Sequence, residues 1–250
     1  MDAEELNLLS QTLAKTMAAT PSGPVLCSAL NELGWREMLA ETPDVAVPLV
    51  FRLLGETGAH APLLADVTGT GTLPYAGGSW VSWSREDAEI LPVRRTEAGT
   101  PLSPEALAAG RRAAGWWLLG TGRAMLELAR AHALDRQQFG KPIASFQAVR
   151  HKLAETFVAL DGASAVLSAA GTGELPALLA KAAAGRAALL ASRHCQQVLA
   201  GIGFTSEHSL HIHVKRVLVL DGLLGSTREL TAEAGRLVID SGAAPRLIDL

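Results

Sequence analysis

Cysteine is nearly absent: Cys27 and Cys195 are the only two in 250 residues. A disulfide framework is not expected, and the reducing cytoplasm is the expected compartment. Blocks of Lys and Arg are absent too, and the formal net charge is −3. Phosphate-binding surfaces need a basic stripe, so neither nucleic acid nor an anionic membrane is an expected partner. No apolar run is read as reaching the roughly 20 residues that cross a bilayer. The start, MDAEELNLL, is acidic and lacks the basic-then-apolar layout of a signal peptide.

Signatures of ready-made chemistry are also missing. There is no nucleophile-elbow motif. GTGTLPYAGG (69–78) is glycine-rich but lacks the strand–GxGxxG–helix order that cradles a pyrophosphate, and it reads as a loop. His208, His211 and His213 suggest a metal, yet only the first two can share a helix face. No Cys or carboxylate is spaced to complete the set, so no metal is expected.

What is present is mostly helix. The apolar share is 48%, much of it Ala and Leu, enough for a sizeable core. Leu6, Leu9, Leu13 and Met17 make one stripe over 2–19. Residues 25–41 and 44–57 predict two more helices. Between 66 and 102 the chain turns rich in Gly and Pro, with SWVSWS and EILPVRR as short candidate strands. From Ser103 it is helical almost to the end. SPEA opens a helix of about 30 residues, which Phe139-Gly140-Lys141-Pro142 stops. Ser145 is the expected cap of a second long helix, reaching about Ala170. A third covers 176–200, and a fourth and a short terminal one follow the loop AGIGFTSEHS. Gly115, Gly120 and Gly122 inside the long helix point to close helix packing, at roughly 1 kcal/mol of helix propensity each. The expected fold is mainly α, a C-terminal four-helix bundle with a short N-terminal helical region and a reduced β remnant. Its segments are 1–65, 66–102 and 103–250.

One corner is unusually polar for its place between apolar helices: DRQQFGKPIASFQAVRHKLAE (135–155). Arg136 closes one helix, and Gln147, eleven residues on, opens the next, so both face one end of a bundle. QQVLAGIG (196–203) passes from a helix end into a loop with backbone N–H groups. Two readings stand. Arg136 pairs with an acid while the glutamines cap helix ends, or the group holds a pyrophosphate and an adenine.

RQQFGKPIASFQAVRHKLAE, CQQVLAGIGFTSEHSLHIHVKR and LLGSTREL, in that order, resemble the C-terminal helical domain of acyl-CoA dehydrogenases, over about 103–240. The similarity is greatest to an actinobacterial branch acting on long acyl or sterol side-chain thioesters. LNELGWREML and LLGETGAHAPLLADV are similar to pieces of that family's N-terminal helical domain. The resemblance implies FAD shared between subunits. Arg136, with Gln138 and Phe139 beside it, would reach the pyrophosphate of a neighbour's FAD. Gln147 and the loop Gln197, Val198, Ala200 and Gly201 would face the adenosine half, with Ala200 in place of the family's first Gly of QxxGG.

Two departures from the family pattern bear on activity. Residues 66–102 are too short for the family's middle β-domain. Its base is a Glu in a YEGT-like motif, and aligning on Gly225 puts Leu224 there; no acid lies between Asp221 and Glu229. Relatives with the base on the long helix have it around Gly110, where Glu105 is the nearest acid. The resemblance therefore implies a base-lacking subunit with a full-length acyl-CoA dehydrogenase as partner, an acyl-CoA substrate, and an electron-transfer flavoprotein as acceptor. A flavin-free structural or regulatory partner is the alternative. A self-sufficient enzyme using Asp221 or Glu105 as base is the third reading.

Overall fold

The computed structural model describes residues 2–83 and 90–244. Helices α1 (Ala3–Ala19), α2 (Pro24–Glu32), α3 (Trp35–Glu41), α4 (Pro43–Thr57) and α5 (Leu63–Thr68) come first. Asp2 and Glu5 form a reciprocal capping box at the start of α1. The single helix expected over 25–41 is two, because Gly34 adopts a left-handed conformation (φ 86°) that ends one helix and begins the next.

Strands β1 (Thr72–Tyr75), β2 (Ser79–Trp83) and β3 (Val93–Thr96) form an antiparallel sheet in the order β1-β2-β3. β2 and β3 lie where strands are expected. β1 corrects the loop reading of 69–78. Gly77 and Gly78, both at positive φ, turn the chain so that Leu73 faces Val81.

The bundle is α6 (Pro104–Asp135), α7 (Gln147–Ala169), α8 (Glu174–Leu199) and α9 (Leu210–Gly222), with α10 (Thr227–Ser241) packed on α8. Ser103 caps α6 by accepting from the Ala106 N–H. α6 stops at Asp135, and a small hairpin of β4 (Gln137–Gln138) and β5 (Lys141–Pro142) follows, turned by Phe139 and Gly140 at φ 54° and 76°. Ser145 does not cap α7. It sits in a 3₁₀ turn and donates to the Pro142 carbonyl, and the cap position belongs to Phe146.

The core runs unbroken from the N-terminal helices through the sheet into the bundle. Gly55 of α4 and Gly120 of α6 set the tightest crossing. A Cβ on Gly120 would overlap the Arg52 carbonyl, and one on Gly55 the Thr121 backbone nitrogen. A Cβ on Gly115 would come within 2.8 Å of the Leu167 side chain, and one on Gly122 within 2.5 Å of the Leu160 side chain. The expected reason for the helix glycines is thus seen, and it fixes α6 against α4 and α7. The segment Glu174–Phe204 is, by length and composition, long and apolar enough to cross a membrane, contrary to the sequence expectation. Yet 61% of its apolar window is buried inside the bundle, so burial against α6 and α7 accounts for its composition. Cys27 and Cys195 are both free thiols, and burial pushes Cys195 up to about 12.

Candidate functional site

α6 runs toward one end of the bundle, α7 starts there, α8 returns to it and α9 leaves from it. The residues singled out in the polar corner therefore gather at that end. Arg136 is the C-terminal cap of α6: its N–H donates to the His132 carbonyl at 2.9 Å, and its own carbonyl accepts from Ile143 N–H at 2.8 Å. Gln138 is exposed in β4. Phe139 is 90% exposed at the hairpin tip, its ring edge-on to Phe146 at 6.2 Å. The Lys141 ammonium lies 4.6 Å from the centre of the Phe146 ring. Gln147 is the exposed first residue of α7, with Nε2 3.4 Å from His151 Nε2.

On the facing side, Gln197 is exposed in the last turn of α8. Ala200, at φ 53°, bends the chain into the 3₁₀ turn Ala200–Phe204, where Gly201 is also exposed. Val198 is the exception among the expected residues. Its side chain is buried in the core, so only its backbone can serve a ligand. The rings of His132 and His208, 6.5 Å apart and edge-to-face, tie the end of α6 to the loop before α9. Burial, with His208 and Arg136 nearby, holds His132 below its usual range.

The simpler reading of this corner does not hold. Among the described residues the Arg136 guanidinium makes no ion pair. The Gln147 side chain does not cap α7. A charge-bearing fork with unspent donors, an exposed ring and the Gln147 amide follow one another at the α6–α7 turn, and the exposed Gln197 amide stands in the last turn of α8. That donor set suits the phosphates and purine of a dinucleotide cofactor.

The other expected centre is the segment Asp221–Gly225. Leu224 is 1% exposed and has φ 60°, a strained value for a branched residue. A Cβ on Gly110 would lie 3.0 Å from Leu224 Cδ1 and 2.7 Å from Thr68 Cγ2. The two positions at which a base is sought from the sequence thus touch each other, and both are apolar. Every side of the segment is fastened. Leu224 N–H donates to Pro74 O at 2.7 Å, Ala76 N–H to Gly222 O at 2.8 Å, and the Tyr75 ring occupies the space a Cβ on Gly222 would need. Arg111, buried in α6, donates from Nε to Leu224 O at 3.1 Å and pairs with Glu233 at 3.3 Å. Lys181 Nζ, fully buried in α8, donates to Asp221 O at 3.0 Å and Gly225 O at 2.6 Å. Burial brings Lys181 down to about 7, against the pull of Asp221.

The candidate acids nearby are committed elsewhere. The Asp221 carboxylate accepts from both the backbone and the hydroxyl of Thr227. Glu229 accepts from Gly77 N–H, Ser226 N–H and the Ser226 hydroxyl, which hold it below the usual carboxylate range. Glu105 is exposed in the first turn of α6. Sequence reasoning missed Arg111, Lys181 and Tyr75. A lone Lys in the apolar run LLAKAAAGRAALL is the one signal that marks a buried, partnered cation.

A family model of the acyl-CoA dehydrogenase C-terminal domain matches residues 97–234. The acyl-CoA dehydrogenase FadE34 of Mycobacterium tuberculosis is 32% identical over 200 residues, covering 68% of this chain and 28% of that protein. The acyl-CoA dehydrogenase IpdE2 of the same organism is 32% identical over 180 residues, covering 67% of this chain and 55% of that protein. The chain thus spans only part of the length of these relatives. Two solved structures share the fold. A variant of the Tcur3481–Tcur3483 steroid ACAD superposes with a TM-score of 0.74 at 17% identity, over 96% of this chain and 99% of that one. Butyryl-CoA dehydrogenase of Megasphaera elsdenii does so with a TM-score of 0.71 at 14% identity, over 94% and 97%. With its helical bundle, its polar corner and the matched C-terminal domain, this chain belongs to the acyl-CoA dehydrogenase family.

Proposed function

We propose that the chain is a base-lacking subunit of a heteromeric, cytoplasmic acyl-CoA dehydrogenase, and that it completes the FAD site of a full-length partner. One observation carries this reading: the exposed, unpaired Arg136 corner stands intact in a chain whose base position is the sealed Leu224–Gly110 contact. Arg136 would hold the pyrophosphate, with Gln138 and Phe139 against it. Gln147, Gln197 and the backbone of Val198, Ala200 and Gly201 would face the adenosine half. FAD supplies the hydride acceptor for α,β-dehydrogenation of an acyl-CoA, fatty or sterol-derived. The partner would contribute the base and the domain over the flavin ring, and an electron-transfer flavoprotein would take the electrons. A carboxylate must reach the substrate α-proton to act as base. Asp221 is held by Thr227 and Glu105 stands exposed at a helix start, which speaks against a self-sufficient enzyme.

The test is flavin content of the complex purified from its own host. Arg136→Ala should lower FAD occupancy at least about tenfold, the loss of two charge-assisted hydrogen bonds. Unchanged occupancy would sink the role of Arg136. Equal FAD content with and without this chain would favour the structural alternative.

A further inference from the structure

A cleft of about 810 Å³ opens between the end of α4, the second half of α6, the middle of α7 and the start of α9. Arg123, on its wall, stands thirteen residues beyond Gly110. That is about 20 Å along α6, so the cleft is separate from the sealed Leu224–Gly110 contact. Its volume is that of a small-molecule site, and such sites are mostly apolar with a few placed polar groups. Leu126, Leu128, Leu160 and Phe157 supply the apolar wall, and Phe157 is 60% exposed beside it.

The polar groups of the cleft differ in how far they are engaged. Glu56 pairs with Arg52 at 2.9 Å and with Arg123 at 3.6 Å, and Arg123 also donates to the Ser164 hydroxyl at 3.2 Å. Glu127 pairs with Arg130 at 3.5 Å. Asp161 makes no ion pair among the described residues. His213 lines the same cleft, is 9% exposed, and its Nδ1 has no hydrogen-bond partner among them. A buried polar atom left alone is rare and calls for a partner.

We infer that this cleft binds a small apolar amine, with its ammonium on Asp161, its hydrocarbon body over Phe157 and the leucines, and the buried His213 ring beside it. Asp161 is the one lining charge without a partner, so the unspent charge selects a cation. A carboxylate or phosphate would meet three lining carboxylates against one engaged guanidinium, which disfavours an acyl-CoA or a fatty acid. No group of three metal-ligating side chains exists among the described residues, so the apolar wall and the lone carboxylate suit an organic cation rather than a metal ion. The inference is independent of the cofactor reading.

The full chain, purified with its partner from its host, is titrated with a dansyl-labelled alkylamine and with the dansyl probes that carry an alcohol or a carboxylate in place of the amine. Fluorescence should saturate at one amine per chain, with affinity at least about tenfold above that of the carboxylate, since attraction and repulsion both act. Asp161→Asn should lower the amine's affinity about fourfold and leave the alcohol's unchanged. Ala131→Trp, at an exposed position on the wall, should weaken all three probes and leave circular dichroism unchanged. Equal affinity for amine and carboxylate would overturn the inference, as would wild-type affinity in Asp161→Asn or in Ala131→Trp. Binding that never saturates, or that vanishes when the partner is present, would do the same. Arg136→Ala should bind the amine as the wild type does, so loss of flavin in that variant leaves this test standing.

Discussion

Lys181 serves two carbonyls from a fully buried position. Its folded pKa of about 7 lies below the ordinary 10.5 because burial outweighs the attraction of Asp221. Between those values the unfolded chain binds a proton that the folded chain has released, so stability rises with pH across that window. Urea midpoints at pH 7.5 and 9.5 should show this rise in the wild type. In Lys181→Met the rise should shrink, the difference isolating Lys181 from the thiols and Tyr75. Gly120 offers a steric test at the same scale. The Arg52 carbonyl occupies the place of its missing Cβ, and backbone cannot step aside as a side chain can. Gly120→Ala should cost about 3 kcal/mol despite a better helix former. A midpoint unchanged in that variant would mean α4 and α6 cross less tightly than described.

At the scale of elements, the long helices were legible because apolar residues repeat with the helical period and Ser103 and Gly140 mark ends. β1 was not, because its strand TLPY is only four residues long between glycine-rich flanks and gains its meaning from pairing with Val81 and with the Gly222–Leu224 segment. The break at Gly34 was hidden for a different reason: a left-handed φ leaves no trace in apolar spacing. Ser145 looked like a cap, but a nearer acceptor, the Pro142 carbonyl, took its hydroxyl. The polar corner could be picked out because its residues are charged or amide-bearing where neighbours are apolar. The clamp on Leu224 could not. Lys181 and Arg111 reach across about 40 and 113 positions of sequence to their carbonyls, and no local pattern announces such a partner.

For the molecule as a whole, acid should be the weak side. His213 sits on α9 against Gly58 at the end of α4; burial first, and the Arg216 guanidinium second, hold it down to about 4. Between that value and its ordinary 6.5 the unfolded chain takes up a proton that the folded one refuses. Stability should therefore fall as pH drops through that window, by on the order of 3 kcal/mol in total. His213→Phe should flatten that part of a midpoint-against-pH curve. A slope unaltered by the substitution would place the acid sensitivity elsewhere.

The aromatic side chains hold one more consequence. Trp35 meets Phe51 at 6.0 Å, Phe51 meets Trp117 at 5.8 Å, and Trp117 meets Trp83 at 6.1 Å. This file of rings passes from the N-terminal helices through the bundle to the sheet. Indoles this near exchange excitation, so Trp117 and Trp83 emit as a coupled pair with Trp35 one ring further on, while Trp80 and Trp116 lie outside the file. Any event that parts the sheet from the bundle, or the bundle from the first helices, would change the colour and polarisation of that emission together. The protein thus carries its own optical gauge of whether its three segments come apart as one body or in turn.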